Sequence, residues 1–430
     1  MTHDSPAATP IRRTIAAGMI GNVLEWYDFA IYGYFAAQIG RQFFPHEDPV
    51  AQLLSAFGVL AIGYLVRPAG GALIGHIGDR FGRRAALTIS VVGMAVPTVL
   101  IGLLPGYATL GVLAPIALTL LRMLQGLSVG GEYTGSMVFL VEHAPPGRRG
   151  VMGALASFGC GTGTLLGSAV GAGFAAAMST EALDAWGWRV PFLLGLVAGI
   201  AGYFLRRHVL ETAPAGRRKR APFVETLHDH WRSVLCMVGL CVFNAVAFYV
   251  AFIYLVSWLQ LADGIAPARA LEINTISMAA TLPVLVVTGW LSDRFGRKLF
   301  AVLSVALGFV GALPLFWLLN HPSTLLAQLG QLGFVLIVGL YGGVQPAVMT
   351  EMVPPQVRCT AVALGYNIPL GVIGGLTPLT ATWLVQRTGD EIAPAFLIMA
   401  AAAVSLLAIL RVPETYRAPF AGRVAAPATA

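Results

Sequence analysis

Five ionisable side chains stand deep inside runs of apolar residues: Glu25, Asp28, Arg67, Arg122 and Glu132. Glu25 and Asp28 are three apart, so a helix points them to roughly one face, shared with Asn22 and Tyr32. A carboxylate can take up and release a proton; an arginine stays charged and must hold an anion. In hydrocarbon each unpartnered charge costs ~2.5–3.5 kcal/mol, and five would exceed ~12 kcal/mol, more than a typical fold's net stability. These groups must therefore pair with one another or face water. Burial favours the protonated form of a carboxylate and a nearby guanidinium the ionised form. An anionic ligand on Arg122 would remove the second effect and let Glu25 or Asp28 bind a proton more readily, a reciprocal coupling. The plainer alternative is a structural ion pair between Arg122 and Glu25 or Asp28. The depth of Glu25, about eleven residues into its apolar run, speaks for function. For Arg67, structural and functional roles stay equally open.

Other polar residues fill in around these. Gln125 and Tyr133 share a helical stripe with Arg122, while Glu132 is turned to its side. The second half of the chain has no Asp, Glu, Lys or Arg at depth. There Asn244 and Gln345 are the better candidates, because an amide in hydrocarbon needs a partner. Tyr249, Tyr254, Tyr341, Tyr366 and Asn367 each read as packed or interfacial residues. The four cysteines and eight histidines show no metal-ligand spacing, so neither metal nor cofactor is expected.

The elements that position these side chains follow from composition. Of 430 residues 57% are hydrophobic and 11% charged, against roughly a quarter charged in an average soluble domain. The apolar runs are long enough to span ~30 Å of hydrocarbon as helices. They do not alternate as barrel strands would. Twelve spans fit between residues 15 and 411, the first near 15–38 and the fourth near 110–140. Of 27 Lys and Arg, 21 fall on the side of the termini and four (Arg41, Arg189, Arg269, Arg387) on the other, which sets both termini in the cytoplasm. The net charge of +7 is thus topology rather than a nucleic-acid footprint. Residues 1–13 are a cytoplasmic tail, 14–206 a first six-helix bundle, 207–232 a linker, 233–411 a second bundle and 412–430 a tail. No cleavable signal peptide is expected, since the first apolar run is long and carries acids. Trp186-Gly187-Trp188 reads as an aromatic anchor at the outer face, and glycine-rich spans such as 151–178 as sites of close packing.

The halves echo each other. Asp79-Arg80-Phe81-Gly82-Arg83 recurs as Asp293-Arg294-Phe295-Gly296-Arg297, 214 residues on. Glu142, Pro145-Pro146 and Arg149 recur as Glu351, Pro354-Pro355 and Arg358, 209 residues on. A duplicated module in a membrane protein suggests a transporter with its site between the halves.

The two Asp-Arg-Phe-Gly-Arg hinges resemble the loop motif of the major facilitator superfamily. Arg122-x-x-Gln125-Gly126 resembles its fourth-helix motif, associated with proton coupling. Gly21-Asn22-x-x-Glu25-Trp26-Tyr27-Asp28-Phe29, Arg67-Pro68-x-Gly70-Gly71, Gly130-Gly131-Glu132-Tyr133 and Trp186-Gly187-Trp188-Arg189 are similar to the metabolite:proton symporter branch, over nearly all of residues 15–415. That branch includes permeases for proline and glycine betaine, citrate, 2-oxoglutarate, dicarboxylates and shikimate. The resemblance implies an all-α membrane fold of two pseudo-symmetric bundles around a central cavity lined by spans 1, 4, 7 and 10. It implies gating at Asp79, Arg80, Arg83, Asp293, Arg294 and Arg297, and coupling and substrate roles for Glu25, Asp28, Arg122 and Glu132.

The expectation is a monomeric, proton-coupled importer of a small carboxylate-bearing solute in a bacterial-type inner membrane. Arg122, with Gln125, Tyr133, Asn22, Arg67, Asn244 and Gln345, would hold substrate; Glu25, Asp28 or Glu132 would carry the proton. An efflux transporter keeps the fold and reverses the direction. A membrane sensor would need an output domain, and an enzyme a nucleophile or metal constellation; neither is visible in the sequence.

Overall fold

The computed structural model describes residues 11–45, 48–71, 73–74, 83–206, 222–261, 264–355 and 357–420. The first hinge, with Asp79 and Arg80, lies outside the described residues; Arg83 opens a helix, and its side chain lies outside them too. Among the described residues twelve long helices run in order along the chain. They are α1 (Ile11–Tyr34, prolonged by Ala36–Phe43), α2 (Pro49–Gly71), α3 (Arg83–Leu103), α4 (Leu113–Glu142), α5 (Arg149–Ala177) and α6 (Arg189–Arg206), then α7 (Trp231–Leu261), α8 (Pro267–Phe295), α9 (Arg297–Leu319), α10 (Thr324–Glu351), α11 (Arg358–Thr388) and α12 (Pro394–Arg411). Nine of these, among the described residues, are long and apolar enough to cross a membrane; α1, α3 and α6 complete the set.

The amphipathic pattern is inverted relative to a soluble protein. On α4, Ile116, Leu120 and Leu124 are exposed at helical spacing while Leu118, Arg122 and Gln125 are buried. Apolar side chains face lipid and polar ones face the interior. Trp188 departs from the expected outer anchor: Trp186 is exposed, but Trp188 is fully buried against Phe43 and Phe192. The bulky ring fills the space where α6 meets the end of α1.

Each half uses the same packing scheme. In the first bundle α1 packs on α5, α2 on α4 and α3 on α6; in the second α7 packs on α11, α8 on α10 and α9 on α12. The duplication heard in the hinges is thus a duplication of helix contacts. The bundles meet along α5 against α8 and α10, and along α2 against α11. In α7 and α11 the helix widens into single π segments, Val250–Tyr254 and Leu370–Gly374, the kind of local widening often found at functional sites.

Small residues set the helix approach, because lipid supplies no hydrophobic drive for helices to associate. Gly63, Gly70 and Gly71 of α2 lie against the backbone of α4 at Arg122, Leu127 and Gly130, and Gly126 of α4 lies against Gly63. A Cβ at Gly126 would collide with the Gly63 carbonyl, which is backbone and cannot swing away. Gly126→Val is expected to leave no monodisperse protein on size-exclusion chromatography. Gly58→Ala, on the same α2 but with open space around it, should be tolerated.

Candidate functional site

The α1–α2–α4 contact brings the buried charges together. Glu25 on α1 is 1% exposed and forms an ion pair with the Arg67 guanidinium on α2, itself 2% exposed. The role of Arg67, open in the sequence, is in this structure that of a partner to Glu25. Asp28, one turn further along α1, belongs to a separate chain of hydrogen bonds. Arg122 Nη1 donates to Gln125 Oε1 at 2.7 Å, and Gln125 Nε2 donates to Thr98 Oγ1 at 2.6 Å. Thr98 Oγ1 lies 3.2 Å from Asp28 Oδ2 and 2.8 Å from the Met94 carbonyl. A hydroxyl has one proton, so Thr98 donates to one of these acceptors at a time.

Two loose ends mark this chain. Arg122 is fully buried, yet its Nε and Nη2 have no hydrogen-bond acceptor among the described residues. Asp28 Oδ1 is likewise without a donor among them. Buried charge-bearing atoms left in this condition are costly, and they mark places where a ligand or a proton fits. The Arg122 guanidinium sits 4.9 Å from the centre of the Phe29 ring and 4.3 Å from that of Tyr32; Arg67 sits 5.2 Å from Phe29 and 5.1 Å from Tyr64.

Phe29 also lines a small cavity between the bundles. Trp26, Phe29 and Ala30 come from α1, Leu60 and Tyr64 from α2, Thr164 from α5, and Phe248, Tyr249 and Ile253 from α7. Beyond it Gly33 packs on Ile253, and Ser168 bonds Thr275 Oγ1 at 2.7 Å and accepts from Asn274 at 3.1 Å. These contacts join the bundles on the side of the cavity away from the termini.

The other expected residues scatter. Asn22 is buried and donates to Ser136 Oγ (2.9 Å) and to the Ala156 carbonyl (3.3 Å), binding α1 to α4 and α5. Tyr133 meets Ser157 Oγ at 3.0 Å, and Ser157 donates to the Gly342 carbonyl of the other bundle. Glu132 is only half-buried: α4 turns at Gly130-Gly131, and Glu132 opens the next helical stretch instead of continuing at depth. Asn244 is half-buried on α7. Gln345 donates to Cys241 Sγ at 2.9 Å and lines a different pocket inside the second bundle, with Leu240, Tyr341 and Ile409. It is not among the residues lining the central cavity.

The face that bears the termini is held by the echoed glutamates and arginines, to which the sequence assigned no work, and by the second hinge. Arg149 pairs with Glu351 at 3.1 Å, and Arg358 with Glu142 at 2.6 Å. Each repeat's glutamate thus holds the other repeat's arginine. Equal offsets with opposite charges were the signal that could have predicted this crossing. Asp293 of the second hinge accepts from the backbone N–H of Gly150 (2.8 Å) and Val151 (3.0 Å), capping α5 of the opposite bundle where the helix dipole is positive. Arg297 pairs with Asp293 at 2.9 Å and Glu351 at 3.2 Å. The hinge cation Arg294 lies instead over the ring of Trp290.

The segment after α12 straps this face. Glu414 accepts from the N–H of Arg297 (3.0 Å) and Lys298 (2.9 Å) at the start of α9. Arg149 donates to the carbonyls of Thr415, Tyr416 and Ala418, and Phe420 lies beneath both Arg149 and Arg358. Partial desolvation works against the Glu414 charge, but the N–H groups of Arg297, Lys298, Tyr416 and Thr415 outweigh it and hold the acid below its ordinary 4.5. A depressed carboxylate stabilises the fold above its unfolded value and loses that contribution as pH falls through the folded one. Glu414→Ala should therefore cost about 0.5 kcal/mol in thermal unfolding near neutral pH, since the acid is exposed and screened. That difference from wild type should shrink as pH falls below the ordinary carboxylate range and is lost once the acid is protonated in both states.

Comparison with known proteins agrees with this architecture. The family model described as Major Facilitator Superfamily matches residues 18–365. A proline/betaine transporter of Salmonella typhimurium is 37% identical over 428 residues, 96% of this chain and 85% of that protein. The glycine betaine/proline/ectoine/pipecolic acid transporter OusA of Dickeya dadantii is similar to the same extent. A putative proline/betaine transporter of Staphylococcus aureus is 34% identical over 411 residues, 94% of this chain and 88% of that protein. Among solved structures, the xylose transporter XylE from E. coli in an inward open conformation matches with a TM-score of 0.76 at 20% identity, over 96% of this chain and 98% of XylE. The XylE proton:xylose symporter bound to 6-bromo-6-deoxy-D-glucose matches with a TM-score of 0.74 at 20% identity, over 94% of this chain and 96% of that one. With its two six-helix bundles, its buried charges and its hinge pairs, the chain belongs to the Major Facilitator Superfamily and is a multi-pass membrane transporter.

Proposed function

We propose that this protein carries a small zwitterion of the proline or glycine betaine class into the cell together with a proton, by alternating access, with both termini in the cytoplasm of a bacterial inner membrane. The observation that carries the reading is Arg122, wholly buried with two guanidinium nitrogens unengaged among the described residues, and linked through Gln125 and Thr98 to Asp28. A substrate carboxylate on Arg122 neutralises the guanidinium. Asp28 then loses its electrostatic support as an anion and takes a proton on Oδ1. Once protonated, Asp28 no longer needs the Thr98 proton, and Thr98 turns to the Met94 carbonyl. Release of substrate restores the Arg122 charge and expels the proton. The linkage is reciprocal, so a proton gradient drives substrate uphill.

The charge balance favours a zwitterion over citrate or a dicarboxylate. Glu25 and Asp28 offset Arg67 and Arg122, so the buried cluster is formally neutral. A multiply charged anion would add buried charge that nothing there compensates. The names of the relatives support the same class. One proton moving with a neutral zwitterion carries one charge, worth ~2.3 kcal/mol per 100 mV, or roughly 50-fold accumulation. The test is uptake into proteoliposomes under an inward proton gradient, with labelled proline, glycine betaine, citrate and 2-oxoglutarate in parallel. The expected result is uphill accumulation of proline or glycine betaine that a proton ionophore abolishes. Accumulation of citrate or 2-oxoglutarate alone, or uptake indifferent to the ionophore, would overturn the reading.

A further inference from the structure

We propose that the aromatic cavity between the bundles seats the substrate's cationic nitrogen and selects for methylated ammonium over a primary amine. The proposal rests on the zwitterion reading above and assigns the cationic end of that ligand.

The wall chemistry makes the case. Five rings, Trp26, Phe29, Tyr64, Phe248 and Tyr249, surround the cavity, and among the described residues no Asp, Glu, Lys or Arg lines it. A primary ammonium brings three N–H donors that each need an acceptor once desolvated; this wall offers the hydroxyls of Tyr64, Thr164 and Tyr249 but, among the described residues, no carboxylate to balance the concentrated charge. A quaternary ammonium has no N–H to satisfy. Its charge is spread over methyl groups, and it binds the negative face of aromatic rings.

The cavity is also polarised. Arg67 and Arg122 both lie about 5 Å from the Phe29 ring centre, at 5.2 and 4.9 Å. Arg67 occupies Tyr64 as well. Those two rings are already engaged by cations, so Trp26, Phe248 and Tyr249 are left for the ligand's. A zwitterion would point its carboxylate toward Phe29 and the guanidiniums, and its methylated nitrogen toward α7.

The cage is divided between the bundles. Trp26 meets Phe248 edge to face at 5.3 Å, and Tyr64 meets Tyr249 edge to face at 5.3 Å. Each pair joins a ring of the first bundle to one of the second. A cation seated against rings of both bundles binds best where those rings converge, so the same contact that recognises the ligand favours the closed arrangement.

The experiment is ligand-dependent thermal stabilisation of the purified protein with glycine, N-methylglycine, N,N-dimethylglycine and glycine betaine, which needs no transport. Apparent affinity should rise with each methyl, to roughly thirtyfold between glycine and glycine betaine. Phe248→Leu should flatten the series, and Phe248→Trp, which keeps a ring, should preserve it. An affinity independent of methylation, an unchanged series in a folded Phe248→Leu, or no stabilisation by any of the four would overturn the cage. If the graded series is seen but uphill accumulation under a proton gradient is not, the cage stands and the proton-coupled reading falls.

Discussion

Asp28→Asn is expected to abolish proton-driven accumulation while leaving substrate exchange across the membrane. Asparagine keeps the size of the side chain and imitates the protonated acid, which can still meet Thr98. What it cannot do is release a proton. Counterflow, in which preloaded unlabelled substrate exchanges for labelled substrate, needs only the substrate-bound half of the cycle and should persist. Accumulation should fall to the level set by equal concentrations on both sides, a loss of roughly 50-fold at 100 mV. Full accumulation by the Asn variant would remove Asp28 from the proton's path.

Glu25→Gln should behave in the opposite way, although Glu25 lies one helical turn from Asp28. Glu25 holds the buried Arg67 charge, and removing one partner of a buried pair leaves an uncompensated ion. The expected cost is about 3–5 kcal/mol for Glu25→Gln or for Arg67→Ala, a large part of a typical fold's net stability. Both variants should show lower unfolding temperatures and poor recovery from the membrane. Glu25→Leu combined with Arg67→Met removes both charges with similar volume and should restore stability to near wild type. A stable Glu25→Gln protein that has lost only coupling would show that the pair serves the transport cycle and not the fold.

The sequence made the transmembrane plan legible because hydrocarbon imposes strong rules. Run length located the helices, Lys and Arg asymmetry implied the sidedness, and depth within a span singled out Glu25, Asp28, Arg67 and Arg122. Partnership was harder to read. Helical periodicity says which residues share a face but not which neighbouring helix that face meets. Arg67 and Glu25 are 42 residues apart, on α2 and α1, and periodicity does not say that those two faces meet. Phe248 and Tyr249 are ordinary aromatic residues of an apolar span. They become part of a site only because α7 abuts α1 across the bundle boundary. Gln345 was a reasonable candidate as a buried amide, and its need for a partner is met inside its own bundle by Cys241. Glu132 looked deep because α4 was read as one continuous helix; the turn at Gly130-Gly131 reorients the stretch from Glu132 to Glu142. The crossed pairs Glu142–Arg358 and Arg149–Glu351 were visible as an echo, yet pairing them required knowing that the repeats face each other.

Proton flux tied to substrate is the most direct measure of coupling through Arg122 and Asp28. Glycine betaine or proline is added to weakly buffered proteoliposomes, and external pH is followed alongside uptake of labelled substrate. Wild type should alkalinise the medium as substrate enters. Asp28→Asn should exchange labelled substrate with no change in pH. Substrate entry without alkalinisation in wild type, or alkalinisation that persists in Asp28→Asn, would contradict proton coupling through this carboxylate.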